Sequence, residues 1–147
     1  MFTKIERYNN VYELKGNSHK LLMSIVRDQN TPRKDFVNSS DRITNLLLEG
    51  ALGYENMTTE KRRTPTGCYY DHYSLENPKL CYVSILRAAE AMIHRTYQLQ
   101  DDVAQAFVLI QRDESTHNPH YFYHKFPLDL TERIVYVVDL MLATGGS

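Results

Sequence analysis

No tryptophan occurs among these 147 residues, and only two cysteines do. Cys68 and Cys81 match no metal-ligand spacing, and as a pair they make no disulfide framework. A reducing cytosol is the simplest compartment, so a cytoplasmic location is expected. Also missing is any apolar run near the ~20 residues needed to cross a bilayer, which excludes a helical membrane span. The stretch MFTKIERYNN has no apolar signal core. Charge of one sign is lacking too: a net charge of −1 provides no overall field for nucleic acid or anionic lipid. There is no internal repeat and no low-complexity linker. Tyrosine is abundant, with eleven residues, and by itself assigns no function. The length suffices for one domain with a sizeable core, and 1–147 reads as a single domain.

The hydrophobic rhythm changes along the chain. In the N-terminal part, residues 18–53 predict helices. Ser18 is a candidate cap for HKLLMSIVRD, with Leu21, Leu22, Ile25 and Val26 on one apolar face. Thr31-Pro32 predicts a second start, a capping hydroxyl followed by proline at the first helical position. Phe36, Ile43, Leu46, Leu47 and Ala51 then recur at helical spacing, and Gly50 and Gly53 are expected to end the helix. TPTG at 64–67 reads as a turn, followed by CYYDHYSL, which alternates like a hairpin strand.

From residue 80 onward, LCYVSIL (80–86), VAQAFVLIQ (103–111) and IVYVVD (134–139) are short continuous apolar runs, as in strands buried on both faces. AAEAMIHRTYQL predicts a helix after the first run, and HYFYHKF (120–126) an aromatic strand after a polar loop. This order implies an α/β protein: a parallel sheet core over 80–147 with the N-terminal helices against it. Ligands of such sheets sit beyond the carboxyl ends of the strands, where LRAAE, QRDEST and DLMLATGGS fall. In the last segment, Thr144, Gly145, Gly146 and Ser147 offer consecutive backbone N–H groups with little side-chain bulk. Such a turn can form a nest around a phosphate. Asp139, at the strand end, is placed to accept hydrogen bonds from sugar hydroxyls.

In VSILRAAEAM (83–92), VLIQRDEST (108–116), KFPLDLTERIVYVVD (125–139) and LMLATGGS (140–147), the chain resembles the uracil phosphoribosyltransferases, eukaryotic members in particular. Weaker matches lie in SIVRDQNTPRKDFVNSSDRI (24–43) and TPTG (64–67). The resemblance implies a type I phosphoribosyltransferase-like fold with a β flap, the C-terminal part of that fold being missing. It implies the reaction of uracil with 5-phosphoribosyl 1-diphosphate to give UMP and diphosphate, usually with Mg²⁺. Carried over by position, Arg87 and Arg112 would face the diphosphate and Asp139 would meet the ribose hydroxyls, with Arg112 and Asp139 as the catalytic pair. Leu140, Met141, Leu142, Ala143, Thr144, Gly145, Gly146 and Ser147 would form the phosphoribosyl loop, residues 143–147 holding the 5′-phosphate. A GTP effector and a homo-oligomer are further implications of the family.

Two positions depart from the family pattern. Ala89 stands where glycine is usual, and its methyl group is a cost if that backbone needs positive φ or a close ligand approach. Leu140 stands where the family has proline and many other phosphoribosyltransferases have a second acid. Asp139 is then the only acid of the motif, which argues against strong metal binding through the loop. The competing readings are plainer. Arg87 and Arg112 could be surface arginines, and Asp113 and Glu114 a solvated loop rather than a carboxylate pair. His117, His120 and His124 suggest a metal site, with His120 and His124 expected on one strand face, but no cysteine or clear carboxylate completes a set. Tyr121, Phe122, Tyr123 and Phe126 fit a flap packing on a partner subunit better than base stacking, since no basic stripe accompanies them. A non-catalytic truncated homologue, acting as an interaction or regulatory subunit, is the alternative function.

Overall fold

In the computed structural model, which describes residues 2–96, 102–113, 118–142 and 145, the apolar runs do become strands. β1 (Phe2–Lys4) and β2 (Tyr12–Leu14) precede α1 (Asn17–Arg27) and α2 (Arg33–Leu52). After them come β3 (Met57–Arg63), β4 (Tyr69–Leu75), β5 (Leu80–Leu86), α3 (Glu90–Thr96), β6 (Val103–Arg112), β7 (Pro119–Lys125) and β8 (Ile134–Val138). The chain divides into two compact units, Met1–Tyr54 and Glu55–Ser147.

In the first unit, β1 and β2 pair antiparallel and α1 lies against α2. α1 begins one residue before Ser18, after Gly16 at φ 145°, so Ser18 lies within the helix and does not cap it. Of the predicted α1 stripe, Leu22 is buried while Leu21 is 68% exposed. α2 starts after Pro32 without a side-chain cap; the Thr31 hydroxyl instead donates to the Ile25 carbonyl at 2.6 Å. The same carbonyl accepts the Asp28 N–H at 3.3 Å, so it has two partners at the end of α1. The buried stripe of α2 is Ser39, Asp41, Thr44 and Leu48, while Phe36 is exposed. Gly50 does not end the helix. α2 runs on to Leu52, and a side chain at Gly50 would overlap the Phe2 ring, so this glycine is a packing position.

The second unit holds the sheet that positions the site. β5 pairs parallel with β6 on one side and with β8 on the other, and β7 pairs antiparallel with β6, giving the order β7-β6-β5-β8. The register is continuous: Leu80 to Leu86 face Val103 to Leu109, and Leu80 to Ser84 face Ile134 to Val138. A central parallel strand is covered on both faces, and Leu80, Cys81, Tyr82 and Ser84 are fully buried, with Val83 nearly so. On one face, Cys81, Val83 and Ala106 make the core, with Ala104, Val108 and Leu130 against it. On the other, the Tyr82 and Tyr136 rings stack at 5.5 Å between centroids, and Tyr136 donates its hydroxyl to Glu55. Burial lifts the Tyr82 phenol to about 12, and burial plus the Glu55 carboxylate push Tyr136 up as well. α3 joins this second face through Gln105, whose amide donates to Thr96 Oγ1 at 2.8 Å.

β8 is not buried on both faces as its composition suggests. Among the described residues it is an edge strand, and Val135 and Val137 are 41% and 64% exposed. A β-bulge between Leu109 and Ile110 in the β6–β7 pairing inserts Phe122. One extra residue shifts the alternation, so His120 and His124 lie on opposite faces of β7 rather than sharing one. His124 instead joins Tyr121, which is hydrogen bonded to its ring. β3 and β4 form a separate antiparallel hairpin, closed by the predicted TPTG turn: Thr64 N–H donates to the Cys68 carbonyl at 2.8 Å and Gly67 takes φ 88°. β3 itself, MTTEKRR, carries no strand alternation; it exists through its pairing with β4.

At the amino end of the sheet a charged clamp fixes the approach to β8. Arg133 donates to both Asp129 oxygens, at 3.0 and 2.9 Å, and to the Leu80 carbonyl at 3.1 Å. The Arg133 guanidinium holds the Asp129 carboxyl below its ordinary value. The lowered carboxyl stabilises the fold above its unfolded pKa, near ~3.9, and that stability is lost as pH falls through the folded value. Asp129→Asn should therefore lower the melting temperature at neutral pH, and the gap to the parent should close below about pH 4 when both are melted across pH. Leu80→Ala, a truncation at a fully buried position of the central strand, should cost about 3 kcal/mol in urea unfolding.

Candidate functional site

Each of the three parallel strands brings one of the predicted segments to the same carboxyl edge. β5 ends at Leu86 and turns at once into α3. The turn is tight: the Ala89 N–H donates to the Ile85 carbonyl and the Glu90 N–H to the Arg87 carbonyl, both at 3.2 Å. The Leu86–Arg87 peptide bond is cis. Ala89 has a negative φ and is fully buried. Its methyl group therefore meets no φ penalty and fills internal space, which removes the steric objection raised by the missing glycine at the level of φ. Arg87 and Ala88, by contrast, are exposed on the outside of the turn.

β6 outruns β5. The last parallel pair is Leu86–Leu109, and Ile110, Gln111 and Arg112 continue with β7 alone. The step between the two strand ends is a groove of about 660 Å³ lined by Leu86, Arg87, Ala88, Leu109, Ile110 and Gln111. Arg87 and Gln111 supply its polar side-chain groups. Arg112 closes β6 at the next position; the description covers its backbone.

β8 delivers the third segment. Val138, opposite Ser84, is buried, and Asp139 follows it half-buried, level with Ile85 on the neighbouring strand. Leu140, Met141 and Leu142 are then exposed, at 42%, 69% and 83%. The chain turns back at Gly145, whose N–H donates to the Leu142 carbonyl at 2.7 Å and whose φ is 71°. That left-handed conformation is one glycine adopts without a Cβ penalty. Ala143, Thr144, Gly146 and Ser147 lie outside the described residues, as do Glu114 and His117.

Because β5 is central, Arg87 stands between the ends of β6 and β8. The predicted residues Arg87 and Asp139 are thus brought to adjacent strand ends, with the start of the loop beside them. Among the described residues, no hydrogen bond or ion pair engages the Arg87, Gln111 or Asp139 side chains. An arginine, an amide and a carboxylate left free at one edge can hold an anion and a polyol together. Among the described residues, no three His, Cys, Asp or Glu side chains gather as a metal site. Gln111 is the groove residue that sequence reasoning missed. A glutamine beside QRDEST carries no periodic or motif signal; the staggered ends of β5 and β6 reveal it.

An open sheet whose parallel strands end at one edge beside such a groove defines an α/β protein with its candidate site at the strand ends. The comparisons narrow the class. A family model described as uracil phosphoribosyltransferase matches residues 14–147, and the chain belongs to that family. The uracil phosphoribosyltransferase of Lachancea kluyveri is 43% identical over 143 residues, and that of Saccharomyces cerevisiae 41%. Each match covers 97% of this chain and 66% of the relative, so the chain spans just under two thirds of their length. The structure of the AQ2163 protein from Aquifex aeolicus superposes with a TM-score of 0.76 at 28% identity, covering 91% of this chain and 64% of that one. A mixed α/β fold of phosphoribosyltransferase type is therefore the architecture of this chain.

Proposed function

We propose that this chain works as a uracil phosphoribosyltransferase in pyrimidine salvage, forming UMP and diphosphate from uracil and 5-phosphoribosyl 1-diphosphate. The observation that carries the reading is the juxtaposition, at one sheet edge, of the Arg87 groove and the Asp139–Gly145 segment. The names of the relatives supply the base. In the reaction a uracil ring nitrogen attacks the anomeric carbon. The carbon–oxygen bond to diphosphate breaks, its electron pair leaves with the diphosphate oxygen, and the nitrogen's proton passes to solvent. Positive charge develops on the sugar ring while negative charge gathers on the leaving group.

Arg87 and Arg112 would meet that growing negative charge, which is where fixed donors accelerate a reaction most. Asp139 would hold the ribose hydroxyls, and residues 143–147 the 5′-phosphate, so that the sugar is oriented before attack. No protein nucleophile is required. A single loop carboxylate is too few for a protein cage around Mg²⁺, which is commonly bound by one or two carboxylates together with substrate phosphates. Mg²⁺ would accordingly arrive on the diphosphate, and none of these residue roles depends on it.

A homo-oligomer belongs to the same reading. Every residue of β3 and of β7 is exposed, Tyr121, Phe122 and Tyr123 among them, and an isolated two-stranded hairpin such as β3–β4 is marginal in water. A second subunit would support both. The GTP effector rests on the family alone. A cytoplasmic location agrees with two free cysteines; among the described residues no helix is long and apolar enough to cross a membrane.

The test is formation of UMP from uracil and phosphoribosyl diphosphate by the purified chain, and turnover is the expected result. Binding of phosphoribosyl diphosphate without turnover would favour the non-catalytic alternative, and neither would reject the site. Arg87→Ala should weaken phosphoribosyl diphosphate binding about tenfold or more, the range of a charge-assisted hydrogen bond. Unchanged affinity would remove Arg87 from the site.

A further inference from the structure

Gln111 sits where β6 has passed the end of β5. Two residues earlier on β6, the side chain on this face has a paired β5 neighbour, as Leu109 has Leu86. At Gln111 that neighbour is gone, and the space is the groove into which Arg87 also opens. Two further features set it apart from an ordinary surface glutamine. Its backbone is fixed by pairing with His120 across the β6–β7 ladder, so its position is held by the sheet rather than by a loop. Its carboxamide is engaged by no partner among the described residues, and its groove companions other than Arg87 are hydrocarbon. The Gln111 side chain is exposed at the strand end and lines the same groove as Arg87, so an anion entering there meets the amide as well as the guanidinium.

Resting on the proposed function, we infer that Gln111 is a further substrate-contact residue: its carboxamide N–H donates to an oxygen of the leaving diphosphate, on the side of the groove opposite Arg87. The chemistry suits the position. A glutamine amide offers two N–H donors and no charge, so it can orient the diphosphate without adding a further cation to Arg87 and Arg112. Because the donor is carried on a strand, its backbone position is set by the sheet before the substrate arrives.

The experiment is calorimetric titration of the parent chain, Gln111→Ala and Gln111→Glu with phosphoribosyl diphosphate and with ribose 5-phosphate, each variant first melted to confirm an unchanged fold. The expected result is a loss of about tenfold in phosphoribosyl diphosphate affinity for Gln111→Ala, a larger loss for Gln111→Glu, and no change toward ribose 5-phosphate. Parent-like affinity of both variants for phosphoribosyl diphosphate would overturn the role of Gln111 while leaving the proposed function in place. An equal loss toward both ligands would overturn it too, as a disturbance of the whole site. Absence of phosphoribosyl diphosphate binding by the parent chain would overturn the proposed function and this inference together.

Discussion

The pairing of β5 on both sides is the constraint on which the rest of the second unit depends. Leu80 to Leu86 take their hydrogen bonds from β6 and β8 at once, in parallel, and bury almost every side chain. Parallel strands run in one direction, so their carboxyl ends must emerge at one edge. Arg87 and Asp139 are far apart in sequence and stand at neighbouring strand ends for that reason. A slip of β5 by one residue would exchange Cys81 and Val83 for Leu80 and Tyr82 on the core face and would carry Arg87 away from Gln111.

The site also depends on the strands having different lengths. If β6 stopped level with β5, Leu109 would be its last residue and no groove would open. The β6–β7 bulge belongs to the same design, since it lets the ribbon continue with altered alternation after β5 has ended. At the other side of β5, the Arg133 clamp pins the amino end of β8 while its carboxyl end carries Asp139 into the loop. The amino edge of the sheet is held by ion pairs, while Arg87, Gln111 and Asp139 at the carboxyl edge have no side-chain partner among the described residues, and that is the edge where open α/β sheets bind ligands.

Much of this was legible in the sequence because burial on both faces leaves a strong mark. LCYVSIL and VAQAFVLIQ read as strands and are strands; TPTG reads as a turn and is one. The strand-end rule and the family resemblance then located Arg87 and the glycine turn. Other features left no mark for physical reasons. MTTEKRR is fully exposed and shows no alternation, so β3 is visible only through its partner. IVYVV is apolar enough to look buried, yet an edge strand keeps Val135 and Val137 exposed. The buried face of α2 is built largely from Ser39, Asp41 and Thr44, which hydrophobic spacing cannot report. Gln111 needed the register, because its significance lies in the neighbour it lacks.

The central claim is that one sheet edge binds a phosphorylated sugar diphosphate through strand ends β5, β6 and β8. The most direct measurement is amide chemical-shift mapping of the labelled chain titrated with phosphoribosyl diphosphate. The account predicts saturable shifts concentrated at Arg87–Ala89, Ile110–Arg112 and Asp139–Gly145, with the Arg133 clamp at the opposite edge unaffected. Shifts confined to the β3–β4 hairpin or the clamp, or no saturable shifts at any strand end, would contradict it.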